Sequence, residues 1–211
     1  MLRLSMAPGA AAIVAVLVLL MPSASAEASE VILLRHADKD IRRGDYNLSP
    51  AGFQRSLALA RLIPACFGKP TRIATFYLDP DTSKNARSYQ SAVPLGVATG
   101  VNIQIALASR TDSYGVGQEL RRTAGPSADR VVLFWEHQRM PELARGLGWP
   151  AMPVIADDDF DQMIVFRFKA LGAAPEVLQL RQRELFQQPC FQRAGLPWNP
   201  DLTTSVAVQQ P

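Results

Sequence analysis

VILLRHADKD, residues 31–40, changes character without transition. Val31 to Leu34 are apolar and favour extended backbone, and Arg35, His36, Asp38, Lys39 and Asp40 follow at once. Such a run reads as a short buried strand. Its end delivers a fixed cation and a titratable ring to the carboxyl edge of a sheet. Open α/β sheets bind their ligands at that edge.

Working outward, the pattern repeats once. Arg130 to Trp135 (RVVLFW) is a second apolar run, and it ends in Glu136-His137. The chain has two histidines, and both fall directly after predicted buried strands. Between them, Ser49-Pro50 opens a helix, with Ser as N-cap and Pro at the first helical position. This helix stops around Pro64 to Gly68. Arg72 to Leu78 alternates as a strand, Ser83 is the expected cap of a following helix, and Val101 to Ala106 is a short third strand. A polar loop from Ser109 to Gly117 leads to a helix around Gln118 to Thr123, and another helix spans Pro141 to about Leu147. FDQMIVFRF and PEVLQLRQREL then form a strand pair closing one edge. Strands alternating with helices predict an α/β sandwich with a largely parallel central sheet.

The 211-residue chain carries a net charge of +3. No basic block with interleaved aromatics is present, so a nucleic-acid partner is not expected. Residues 1–26 have the three parts of a secretory leader: Arg3, an apolar stretch from Ala10 to Met21, and Ala24-Ser25-Ala26 at the cleavage positions. The stretch is short for a membrane span of roughly 20 residues. The expectation is a domain over 27–196, a poorly ordered tail over 197–211, a secreted or periplasmic location, and no membrane anchor after cleavage. Cys66 and Cys190 are either bridged or two separate buried thiols; an oxidising compartment permits the bridge. Neither cysteine has a metal-ligand spacing, and no cofactor or metal is expected. The oligomeric state is not legible.

Two imidazoles, Arg35, and Arg87 near the positive end of its helix describe an oxyanion pocket. Phosphate suits it, because guanidinium forks match phosphoryl oxygens. LLRHAD, LSPAGFQRSLALA, NARSYQSA and VVLFWEHQ, in that order, resemble the motifs of the histidine phosphatase superfamily, the phosphoglycerate-mutase-like fold. The likeness spans roughly Val31 to Gly148. It implies a three-layer α/β/α sandwich and phosphoryl transfer through a phosphohistidine on His36. Arg35, Arg87 and His137 would hold the phosphoryl group, with Lys39 and Glu136 beside the substrate. Ala37 stands where the family has Gly, and Glu136 where it commonly has Gly or Ser. The acid for the leaving group is expected at Asp112, with Glu136 second and Asp38 third. The expected substrate is a small phosphomonoester in a pocket without a cap domain. A phosphomutase, or a catalytically silent phosphate- or polyanion-binding module, is the alternative.

Overall fold

The computed structural model describes residues 28–40, 44–105, 112–125 and 129–195. The expected leader over 1–26 and tail over 197–211 lie outside the described residues. The strands are β1 Ser29–Arg35, β2 Arg72–Thr75, β3 Ile103–Ile105, β4 Arg130–Trp135, β5 Gln162–Phe168 and β6 Glu176–Arg181. The helices are α1 Pro50–Cys66, α2 Ala86–Thr99, α3 Ser113–Thr123 and α4 Met140–Leu147, with two short ones, α5 Gln182–Leu185 and α6 Pro189–Gln192. They build one six-stranded sheet in the order β3-β2-β4-β1-β5-β6. β1 to β4 run parallel, and the β5–β6 hairpin is antiparallel and closes the edge, as the sequence predicts.

Alternation along β1 explains why the sheet is covered on both faces. Val31 and Leu33 join a core with α3 and α4, while Ile32 and Leu34 join another with α1 and α2. Every residue of β1 is buried, as expected of a central strand packed on both sides. The result is the predicted α/β/α sandwich. β1 and β4 are neighbours in parallel register, with Arg35 opposite Trp135, and His36 N donates to Trp135 O at 3.1 Å. Both histidines therefore emerge at the same carboxyl edge.

The start of α1 shows how the loop after β1 is fixed. Ser49 Oγ accepts from Gly52 N at 3.1 Å, and Ser49 N donates to Asp38 O at 3.0 Å. A Cβ on Gly52 would lie 2.2 Å from Asp38 O, so only glycine lets the helix sit against that carbonyl.

Several boundaries differ from expectation: β2 ends at Thr75 rather than Leu78, and the last expected strand gives way to α5 at Gln182. Ser83 does not cap α2. Asp79 Oδ1 accepts from Asp81 N and Thr82 N, winding the segment into a turn. Ser83 and Asn85 take left-handed φ values of +59° and +68°, so the helix begins at Ala86 and Arg87 falls in its first turn. α3 begins five residues earlier than the glycines suggest, at Ser113, with Asp112 as N-cap. Of these, Gly117 serves helix packing: a Cβ on it would lie 2.3 Å from Leu143 O, and across the contact one on Gly146 of α4 would lie 2.2 Å from Tyr114 O. The third strand begins at Ile103 rather than Val101, and Ala106, its expected end, lies outside the described residues.

Candidate active site

A cleft of about 410 Å³ opens at the carboxyl edge, and His36, His137, Arg87, Lys39 and Glu136 line it. Lys84 and Arg139 add further positive charge to its walls. The imidazoles stand 6.5 Å apart between centroids, nearly perpendicular, with interplanar angle 89°.

His36 is 5% exposed, and its Nδ1 lies 2.8 Å from Ala37 O. A carbonyl only accepts, so Nδ1 carries the proton and Nε2 keeps its lone pair. Burial holds the ring's pKa down to about 3, against the opposing pull of the Ala37 carbonyl, and the charges of Arg35, Arg87 and His137 add to the depression. Desolvation is thus the main reason that this ring stays neutral. Ala37 is buried, its N donates to Ser91 Oγ at 2.9 Å, and its φ is not positive, so alanine serves where the related motif has glycine.

Arg87 reaches the cleft from the first turn of α2. Its Nε donates to Asn47 O at 3.0 Å and an Nη to Asp45 O, so it also pins the loop before α1. Burial lowers its pKa, with Asp45 and Tyr46 opposing.

Arg35 is placed differently from expectation. It is 2% exposed and absent from the cleft lining. One Nη donates to Ala156 O at 2.9 Å and Asp159 O at 3.0 Å, and the other to Asp157 O at 2.9 Å. Its guanidinium stacks 4.1 Å from the centre of the Phe160 ring, and Nε is buried without a partner among the described residues. A buried guanidinium needs acceptors, and the backbone of residues 156–159 supplies them before any ligand does.

The carboxylates also sort differently. Asp112 accepts from Gly115 N at 2.7 Å as the α3 cap and borders a separate hollow with Glu119 and Trp135, so it is not brought to the histidines. Helix capping outweighs the expected acid role at that position. Asp38 is 2.6 Å from Arg55 Nε, outside the cleft lining. Glu136 lines the cleft, and its Oε1 is 2.8 Å from His137 Nδ1, out of line for a hydrogen bond. Strand alternation across the end of β4 predicts Glu136 on the opposite side from His137. The chain instead turns into a 3-10 turn at His137, which brings both side chains to one place.

Sequence reasoning missed Asp157, whose Oδ1 lies 2.6 Å from His137 Nε2. The signal was the acidic run Asp157-Asp158-Asp159 just before β5. An antiparallel strand entering beside β1 begins at the edge where β1 ends. Among the described residues, no group of three or more His, Cys, Asp or Glu side chains is arranged to hold a metal ion.

No family model and no curated protein matches the chain. Solved structures do. The protein histidine phosphatase SixA in complex with tungstate aligns with TM-score 0.52 and 13% identity, over 74% of this chain and 99% of that one. A mycobacterial glucosyl-3-phosphoglycerate phosphatase aligns with TM-score 0.48 and 17% identity, over 73% and 98%. A mycobacterial hydrolase aligns with TM-score 0.49 and 16% identity, over 72% and 97%. At such identities the likeness speaks to architecture, and the SixA alignment bears its weight. The chain has the α/β/α fold of the histidine phosphatases.

Proposed function

We propose that this protein is a phosphatase that hydrolyses a small phosphomonoester through a phosphohistidine on His36. One observation carries the reading: a buried, neutral imidazole with Nδ1 on a carbonyl, leaving Nε2 as nucleophile in a cationic cleft. His36 Nε2 attacks phosphorus and the P–O ester bond breaks. The leaving oxygen takes a proton from a carboxyl group, and Glu136 is the one that lines the cleft beside His137. Water then attacks the phosphoryl group, the N–P bond breaks with its electron pair returning to Nε2, and the Glu136 carboxylate takes the water's proton. Arg87, Lys39 and His137 stabilise charge on the transferring group. The leader-like sequence pattern of residues 1–26 and the Cys66–Cys190 disulfide support action outside the cytoplasm.

Phosphate release from p-nitrophenyl phosphate, a simple alkyl phosphate and a panel of phosphorylated metabolites tests the reading. Arg87→Ala is expected to lower kcat/KM by a factor of about 10² to 10³ through lost transition-state stabilisation. A loss below threefold means that Arg87 serves only the loop before α1. Glu136→Gln is expected to damage alkyl phosphate hydrolysis far more than aryl, because a poor leaving group builds more charge on oxygen. Equal losses on both substrates would assign Glu136 to orienting His137 instead. The engagement of Arg35 with backbone carbonyls favours one second reading, a silent phosphate-binding module. Absence of turnover on p-nitrophenyl phosphate together with phosphate binding would select it.

A further inference from the structure

His137 has two ring nitrogens, and their surroundings are unequal. Nδ1 is buried against Glu136 and offers no surface to a ligand. Nε2 alone can meet a substrate, and Asp157 Oδ1 already lies on it at 2.6 Å. A carboxylate oxygen so close to a ring nitrogen requires a hydrogen between them. The same N–H is the one a phosphoryl oxygen would take.

The loop that carries Asp157 is held firmly. Arg35 binds the carbonyls of Ala156, Asp157 and Asp159. Arg181 Nη binds both oxygens of Asp159, at 3.0 and 2.8 Å, and Arg183 lies 3.3 Å from Asp161. The Asp157 side chain, by contrast, is 80% exposed. Rotation about its own bonds is therefore enough to release His137, and the backbone stays in place.

We propose that Asp157 and the phosphoryl group of the substrate compete for the Nε2 hydrogen of His137, so that Asp157 sets the affinity of the cleft for phosphate. This rests on the phosphatase reading for its substrate, but the competition itself is a property of the site. The ring beside it holds the Asp157 carboxyl below the usual carboxylate range, with Lys39 and Arg35 contributing, so the competitor is an anion. Two anions cannot share one donor without repulsion, and the carboxylate must leave before a phosphoryl oxygen is seated. Such a residue weakens substrate and product alike, and it shortens the time for which released phosphate blocks the site.

The test is titration calorimetry of inorganic phosphate into the disulfide-bonded protein at about 0.15 M salt, where exposed charges are screened beyond about 8 Å. Asp157→Ala is expected to bind phosphate about tenfold more tightly than wild type, equivalent to about 1.4 kcal/mol. Asp157→Asn, which keeps the shape and loses the charge, should show a smaller gain. In a His137→Ala background, Asp157→Ala should change the affinity by less than twofold, because nothing remains to compete for. Unchanged or weaker binding in Asp157→Ala overturns the proposal, since Asp157 then orients His137 for the ligand. An equal gain in both backgrounds also overturns it, since the effect is then repulsion through space. If no variant binds phosphate, the competition does not exist. p-Nitrophenyl phosphate turnover by the wild type separates the two failures: turnover without the affinity change sinks only the role of Asp157, and absence of turnover sinks the phosphatase reading.

Discussion

His36→Ala is expected to reduce phosphatase activity by a factor on the order of 10⁴ or more while the protein stays folded. The proposed reaction passes through an N–P bond, and no neighbour can form it in place of His36. His137, the other imidazole, has Nδ1 buried and carries its hydrogen on Nε2, so it offers no lone pair to phosphorus. Structurally the ring is dispensable. Its hydrogen bond is local, to the carbonyl of the next residue, and its ring neighbours among the described residues are Phe160 at 5.9 Å and His137 at 6.5 Å between centroids. Circular dichroism should be unchanged, and activity within tenfold of wild type would end the covalent account. The pH dependence adds a check. A ring held at about 3 by burial is neutral in the folded state throughout the working range, so nucleophile protonation contributes no acid limb above about pH 4. For stability the sign is fixed as well. Between the ordinary histidine value near 6.5 and about 3, the unfolded chain binds a proton that the folded chain does not, so this ring withdraws stability as pH falls through that window.

The second large effect concerns stability. Cys66 and Cys190 are bridged across a separation of 124 residues, with Cα atoms 5.2 Å apart. Closing so long a loop in the unfolded chain favours the folded state by about 4–5 kcal/mol on the chain-entropy account. Against a total of roughly 5–15 kcal/mol for a typical domain, that is a large share. The bridge also pins α6 to the end of α1, where Arg61 binds Ala194 O at 2.8 Å and stacks 4.6 Å from the Phe191 ring centre. Cys66→Ser/Cys190→Ser is therefore expected to lose about 4 kcal/mol in denaturant unfolding. A loss below about 1 kcal/mol would mean that only the segment after β6 depends on the bridge.

What the sequence makes legible follows from burial. β1 and β4 are near-continuous apolar runs because both faces of a central parallel strand are covered, and such runs have few other readings. The start of α1 was readable because Ser49-Pro50 is a local signal that requires no distant partner. Failures came where tertiary contacts decide. Gly115 and Gly117 read as loop, yet the close approach of α3 to α4 needs Gly117 to lack a side chain. Arg35 carries the motif of a phosphate ligand, but its acceptors lie more than 120 residues away on the loop before β5. Asp112 reads equally well as acid or cap, and only three dimensions distinguish them. Asp157 belongs to no motif; its importance comes from the antiparallel entry of β5, which returns the chain to the carboxyl edge of β1.

The central claim is that His36 becomes phosphorylated. Rapid acid-free quenching during turnover of p-nitrophenyl phosphate, followed by peptide mass spectrometry, tests it most directly. The account predicts one acid-labile phosphoryl group on the peptide bearing His36, absent from His36→Ala. Steady turnover with no phosphorylated peptide, or with the phosphoryl group on another residue, would contradict it.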